Sequence, residues 1–189
     1  MEVVVYDPAG DVLVTCNNTT FRLSSAALSL ASPVFRAMFK GGFKEGISCA
    51  RGEDGTTVNL PEDDVDAFRL FCDIAYHKCD SLPVNPTPGF LQRLSVFIDK
   101  YICREALRCV GQMWLERPLP GQVEDLLKLA QFAFVLDLET EFAKITREII
   151  LKCYTRSGDW SRHFAAVPLL PDSMLGLLNS CFLVDMFIT

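Results

Sequence analysis

The chain has 189 residues, of which 50% are hydrophobic, 22% charged and 11% aromatic, with a formal net charge of −6. So apolar a composition excludes intrinsic disorder, and the length fits one globular domain, or one domain with a packed extension, that buries about 70% of its unfolded surface. Twelve acids stand against seven bases in residues 1–80 and twelve against eleven in residues 81–189; neither half offers a basic face, so no nucleic-acid partner is expected.

Val3-Val4-Val5-Tyr6 is a β-branched and aromatic run, and Asp7-Pro8-Ala9-Gly10 is turn chemistry. Asp11 to Cys16 resumes an extended run, so residues 3–16 read as a hairpin. Asn17-Asn18 marks a second turn, and Thr20-Phe21-Arg22-Leu23 alternates as a short third strand. Ser24 or Ser25 can cap a helix over residues 26–31. Ser32-Pro33 restarts a helix, with Ser as cap and Pro at the first position. Val34, Phe35, Met38 and Phe39 form its apolar stripe and Gly41-Gly42 its end. A polar loop at 50–56 precedes a fourth strand, Thr57 to Leu60. Glu62, Asp63 and Asp64 then sit where negative charge favours a helix start, with Val65, Phe68, Phe71, Cys72 and Ala75 on the buried face.

The second half reads as helical throughout. Pro83, Pro86 and Pro88 break the chain before a long helical stretch, Phe90 to Glu116, whose Leu91, Leu94, Ile98, Tyr101, Leu107, Val110 and Trp114 keep helical spacing. Arg117-Pro118-Leu119-Pro120-Gly121 is a second break. Helices follow at Glu124–Phe134 and Glu139–Tyr154, the latter with Phe142, Ile145, Ile149 and Cys153 on one side. A last helix is expected after Pro171-Asp172-Ser173.

Eight cysteines raise the question of disulfides. Met1-Glu2-Val3 opens acidic and Asp7-Pro8 precedes any long apolar run, so no signal peptide is predicted and the thiols are expected to stay reduced, in cytoplasm or nucleus. The charge-free run from Ser173 to Val184 is too short for a membrane helix.

Sites for chemistry are sparse. Cys72 and Cys79 share a helical face, but His77 points about 140° away from Cys72, and no Cys-x-x-Cys pair supplies the four convergent ligands of a closed zinc site. No metal or cofactor is expected. His77 and His163 are the two histidines, and neither lies beside a Ser or Cys in a nucleophile elbow. Gly41 to Gly46 lacks the Gly-Lys-Ser/Thr ending that cradles phosphate. The acids Glu62, Asp63, Asp64 and Asp66 lack the spaced oxygens of a calcium loop and suit a charged helix N-terminus. The enzymatic alternative is a thiol hydrolase using Cys49 on a loop with a distant His163, and it has no recognisable orienting residue.

Phe21-Arg22-Leu23-Ser24-Ser25-Ala26-Ala27-Leu28-Ser29-Leu30-Ala31-Ser32-Pro33-Val34-Phe35 and on to Phe39 resembles the signature stretch of BTB/POZ domains, where a strand runs into two short helices around "Ser-Pro-x-Phe". Gly10-Asp11-Val12 is similar to the Asp-Val that opens the family's strand pair. Phe43-Lys44-Glu45 sits where the family has "Phe-x-Glu". Val58-Asn59-Leu60 through Ala75-Tyr76 resembles the strand and third helix. Asp99-Lys100-Tyr101, Cys103, Ala106-Leu107 and Trp114-Leu115 are similar to BTB proteins of filamentous fungi. The usual "Val-His-Lys" before the first helix is Leu23-Ser24-Ser25 here, and the apolar tail Cys181 to Ile188 departs from the family's polar ends.

The resemblance implies an α+β fold with a small mixed sheet flanked by helical hairpins, as a BTB/POZ domain over residues 1–117. A helical, BACK-like extension would occupy residues 118–189. It also implies a non-catalytic protein–protein interaction module that pairs as a homodimer, with a dimer face at Val12, Ala26, Ala27 and Leu30. Phe43 and Glu45 would engage a cullin if the chain is a substrate adaptor of a ubiquitin ligase. Otherwise Phe43 covers the domain's own core, in a scaffold or transcription-linked protein without cullin binding.

Overall fold

The structure, a computed structural model, describes residues 2–40, 56–154 and 167–171. Phe43, Glu45 and Cys49, the loop at 50–55, His163, the side chain of Cys153, and the expected last helix with the apolar tail lie outside the described residues. Strands β1 (Glu2–Val5), β2 (Val12–Cys16) and β3 (Thr19–Leu23) lead into helices α1 (Ser25–Ala31) and α2 (Pro33–Lys40). Strand β4 (Thr56–Leu60) and helix α3 (Val65–Ala75) follow, then a short 3-10 turn at Cys79–Ser81. Helices α4 (Pro88–Tyr101), α5 (Arg104–Leu115), α6 (Val123–Val135) and α7 (Glu139–Tyr154) complete the described elements.

The strands form one mixed sheet in the order β1-β3-β2-β4. Period-2 alternation puts Val12, Val14, Cys16, Phe21, Leu23, Val58 and Leu60 on one buried face. The expected hairpin over residues 3–16 does not form. β2 already has β3 on one edge, antiparallel, and β4 on the other, parallel, so β1 runs parallel to β3 with Glu2 opposite Thr19. The hairpin is β2–β3, turning at Asn17, whose φ of 52° Asn tolerates. Asp7 to Gly10 still turns, as a crossover: Ala9 N donates to Asp7 Oδ1 at 2.8 Å and Gly10 N to Asp7 O at 3.0 Å. A Cβ on Gly10 would collide with the Leu23 carbonyl, so this approach requires glycine.

The chain packs into two compact units, each taking two stretches of sequence: Met1–Pro83 with Phe97–Leu107, and Val84–Val96 with Arg108–Thr189. The first holds the sheet over an aromatic core. Phe35 stacks on Tyr101 at 4.7 Å between ring centres, Phe68 meets Phe21 edge-on at 5.0 Å, and Phe97 lies 4.5 Å from Tyr101. Each fully buried ring is worth about 1.5–3 kcal/mol, with aromatic geometry adding to that. In the second unit, α6 and α7 pack through Leu126, Ala130, Ala133, Ile145 and Ile149, all buried. There, fully buried Gln131 donates to Ser95 Oγ at 2.6 Å and accepts from Leu169 N at 3.4 Å, tying residues 167–171 to α6.

The helical stretch expected from Phe90 to Glu116 is two helices. At its break Ile102 takes φ 50°, Ile102 N donates to Asp99 O and Cys103 N to Ile98 O, the paired bonds of a Schellman helix end. The same motif closes α3 at His77 and α6 at Asp137. None of these ends carries the glycine that would have announced it.

Candidate interaction surface

Helix α1 begins where Ser24 leaves the strand region, but the Ser24 hydroxyl makes no capping bond. Asp11, across the sheet, supplies the acceptor instead: its carboxylate takes Ser25 N at 2.7 Å and Ser25 Oγ at 2.6 Å. Burial of Asp11 works against the charge, yet the two Ser25 bonds together prevail and hold its carboxyl below the ordinary range. Ser32 does cap α2 as expected. Its Oγ accepts from Phe35 N at 3.2 Å and donates to Tyr101 O at 2.6 Å, joining the α1–α2 junction to the end of α4.

These bonds fix which side chains α1 presents. Leu28 is fully buried, whereas Leu30, two residues on, is 84% exposed. Ala26 is exposed and Ala27 half-buried. Val12 is different: it is 0% exposed, pointing with Val14 and Cys16 into the chain's own core, so its side chain is not available to a partner. The sequence carried no signal of this, since Val12-Leu13-Val14 is apolar without a break and only the burial alternates. Val3 and Val5 on the edge strand β1 are also exposed. β1 is held to α3 through Arg69 Nη2 to Glu2 Oε2 at 3.2 Å and Tyr6 Oη to Asp73 Oδ1 at 2.6 Å, with Lys78 Nζ 4.1 Å above the Tyr6 ring.

The acids before α3 divide their work. Asp64 caps the helix, accepting from Asp66 N and Ala67 N. Asp63 turns inward instead: its carboxylate takes Lys100 Nζ at 2.7 Å and Tyr101 Oη at 3.0 Å, and its carbonyl takes Asn17 Nδ2 and the Cys16 thiol. A buried carboxylate persists only with such partners. The five described cysteine side chains are free thiols. Burial pushes Cys16 up to about 11 and Cys103 up to about 12, and it raises Cys72 as well. Thiols held protonated are poor nucleophiles and poor ligands. Cys72 is buried while Cys79 and His77 are exposed, and among the described residues no three His, Cys, Asp or Glu side chains gather around a point. No described helix is long and apolar enough to cross a membrane.

A small mixed sheet, a Ser-Pro start to α2 and helices returning over one sheet face are therefore all in place. Residues 8–97 match the family model described as BTB/POZ domain. The chain carries a BTB/POZ domain. Its fold is the α+β BTB fold, and the domain is a protein–protein interaction module; BTB/POZ domains are in general such modules rather than enzymes. No curated protein matches the chain. The matched span begins at the Asp7–Gly10 crossover and ends in α4, so β1 precedes it and α5 to α7 follow it.

Proposed function

We propose that the BTB/POZ domain pairs with a second copy of itself through α1, with the exposed edge strand β1 contributing beside it. The observation that carries this reading is the opposition of Leu28 and Leu30. A seven-residue helix that already buries Leu28 has satisfied its own core, and an 84% exposed Leu30 on another face serves contact outside the chain. Ala26 and Ala27 let a partner backbone come close. A stable pair needs roughly 1,000 Å² or more of buried surface. Sedimentation velocity at micromolar concentration is the test: the wild type runs as a dimer and Leu30→Glu as a monomer. A wild type that remains a monomer throughout rejects the proposal.

A second reading makes the protein a substrate adaptor for a cullin-type ubiquitin ligase. It is supported by Phe43-Lys44-Glu45, which comes three residues after α2 ends. In that reading residues 1–117 carry the docking domain and the helical extension at 118–189 takes the substrate. A Phe ring seated in a cullin pocket is worth about 2 kcal/mol, about thirtyfold in affinity. Binding of a cullin N-terminal region that falls by that much in Phe43→Ala supports the adaptor role. No binding, or binding indifferent to Phe43, removes it.

A further inference from the structure

Among the described residues of α6 that are buried, Gln131 alone is polar; the rest are Val, Leu, Ala and Phe. A carboxamide in such surroundings is destabilising unless its polar atoms are bonded. Gln131 Nε2 donates to Ser95 Oγ at 2.6 Å, and Ser95 Oγ donates to Gln92 O at 2.7 Å. The single proton of the Ser95 hydroxyl is thus committed to α4, so toward Gln131 the hydroxyl only accepts. That fixes the sense of the amide: its NH2 faces Ser95, and Oε1 is left as an acceptor that α4 and α6 orient by themselves.

Residues 167–171, Val-Pro-Leu-Leu-Pro, meet that acceptor as a turn. Leu170 N donates to Val167 O at 3.1 Å, with Pro168 at the second position, where its fixed φ suits a turn. The turn uses the N–H of its fourth residue and proline has none at the second. The N–H of the third, Leu169, is therefore the one offered outward, and it donates to Gln131 Oε1 at 3.4 Å. Val167 is 0% exposed and Leu170 4%, while Pro168 is exposed. The turn thus buries the aliphatic side chains at its two ends and presents one amide between them. The bonds within the helix pair are short and the bond to the turn is long, so the socket is held more firmly than its occupant.

We infer that the Ser95–Gln131 pair marks a docking socket for a proline turn flanked by aliphatic side chains, with residues 167–171 as its resident occupant and a partner segment of the same chemistry as its exchangeable one. Gln131 takes a main-chain N–H, which every residue except proline offers, so selection falls on the turn itself: proline second, aliphatic residues first and fourth. The resident is then an autoinhibitory contact. Its tether keeps it at an effective concentration on the order of millimolar, and a partner has to outcompete it. Gln92, Ser95, Gln131 and residues 167–171 all lie in the second compact unit, so the socket stands or falls independently of the pairing proposed for α1.

The test uses the full chain and a fluorescent peptide of residues 166–172, plain or N-methylated at Leu169. Both peptides are titrated onto wild type and onto Leu170→Asp, in which a charge at a buried position displaces the resident. The plain peptide is expected to bind Leu170→Asp at least tenfold more tightly than wild type, and the methylated peptide at least tenfold more weakly than the plain one. Equal affinity for the two chains, or no binding to either, overturns the exchange; equal affinity of the two peptides overturns the role of Gln131 and with it the socket. Wild type is also followed by amide hydrogen exchange at about 5 mM unlabelled peptide, above the effective concentration of the tether, and this arm decides if Leu170→Asp fails to fold. Exchange at Leu169 and Leu170 should quicken at least fivefold while α6 stays unchanged. No quickening, or quickening that extends through α6, overturns the proposal.

Discussion

Asp63 shows how much one side chain can hold. It is buried, yet it bonds Lys100 and Tyr101 through its carboxylate and Asn17 and Cys16 through its carbonyl. Removing it strands the Tyr101 hydroxyl in the interior. Asp63→Ala is expected to cost about 2–3 kcal/mol in urea unfolding and Asp63→Asn distinctly less, since the amide oxygen still accepts from Tyr101. Equal losses would mean that the charge, and not the hydrogen bond, matters. Asp11 gives a pH signature. Its carboxyl is held below the ordinary range in the folded state, so the unfolded chain takes the proton first as pH falls. The stability that Asp11 contributes is present above its unfolded pKa and lost as pH drops through its folded pKa. Asp11→Asn should therefore flatten the acid limb of the stability curve; an unaltered limb would show that Ser25 does not engage the carboxylate. The thiols are expected to divide by burial. Iodoacetamide on the native protein should modify Cys79 and Cys109 while Cys16, Cys72 and Cys103 resist until unfolding, and native alkylation of Cys103 would contradict that.

At the scale of elements, Gly111 sits on α5 where a Cβ would meet Leu136 and the ring of Phe132 on the following helix. Gly111→Ala raises intrinsic helix propensity but forces those side chains to shift, at a cost of about 1–3 kcal/mol. A more stable variant would show that the α5 contact has slack. Much of this layer was legible in the sequence. The extended runs Asp11 to Cys16 and Thr57 to Leu60, the Ser32-Pro33 start of α2 and the Asp64 start of α3 all stand where local chemistry puts them. What local chemistry could not supply is pairing. Val3 to Val5 look like half of a hairpin with residues 11–16, but both edges of β2 are taken by strands from elsewhere in the chain. Tyr6 finds its partner Asp73 at a separation of 67 residues. The break at Ile102 was hidden for a different reason: a β-branched residue fills the place where glycine usually ends a helix. In the candidate face, Leu30 was legible as apolar on a short helix, and its exposure was not. Val12 was assigned to that face by resemblance, and the unbroken apolar run Val12-Leu13-Val14 did not show which of its side chains turns into the core.

For the whole molecule, charge decides what sort of partner the BTB/POZ domain can take. Two acidic copies repel at long range, and salt screens that repulsion. Self-association should therefore tighten modestly as ionic strength rises, whereas docking to a basic partner would weaken. The most direct measurement of the central claim, that α1 is a face for another protein surface, is hydrogen–deuterium exchange of the full chain at two concentrations spanning the association. Concentration-dependent protection of residues 25–31, with the edge strand β1 beside them, is predicted, with the buried strands β2 and β3 unchanged. Association accompanied by protection elsewhere and none in α1, or no difference between the two concentrations, would contradict it.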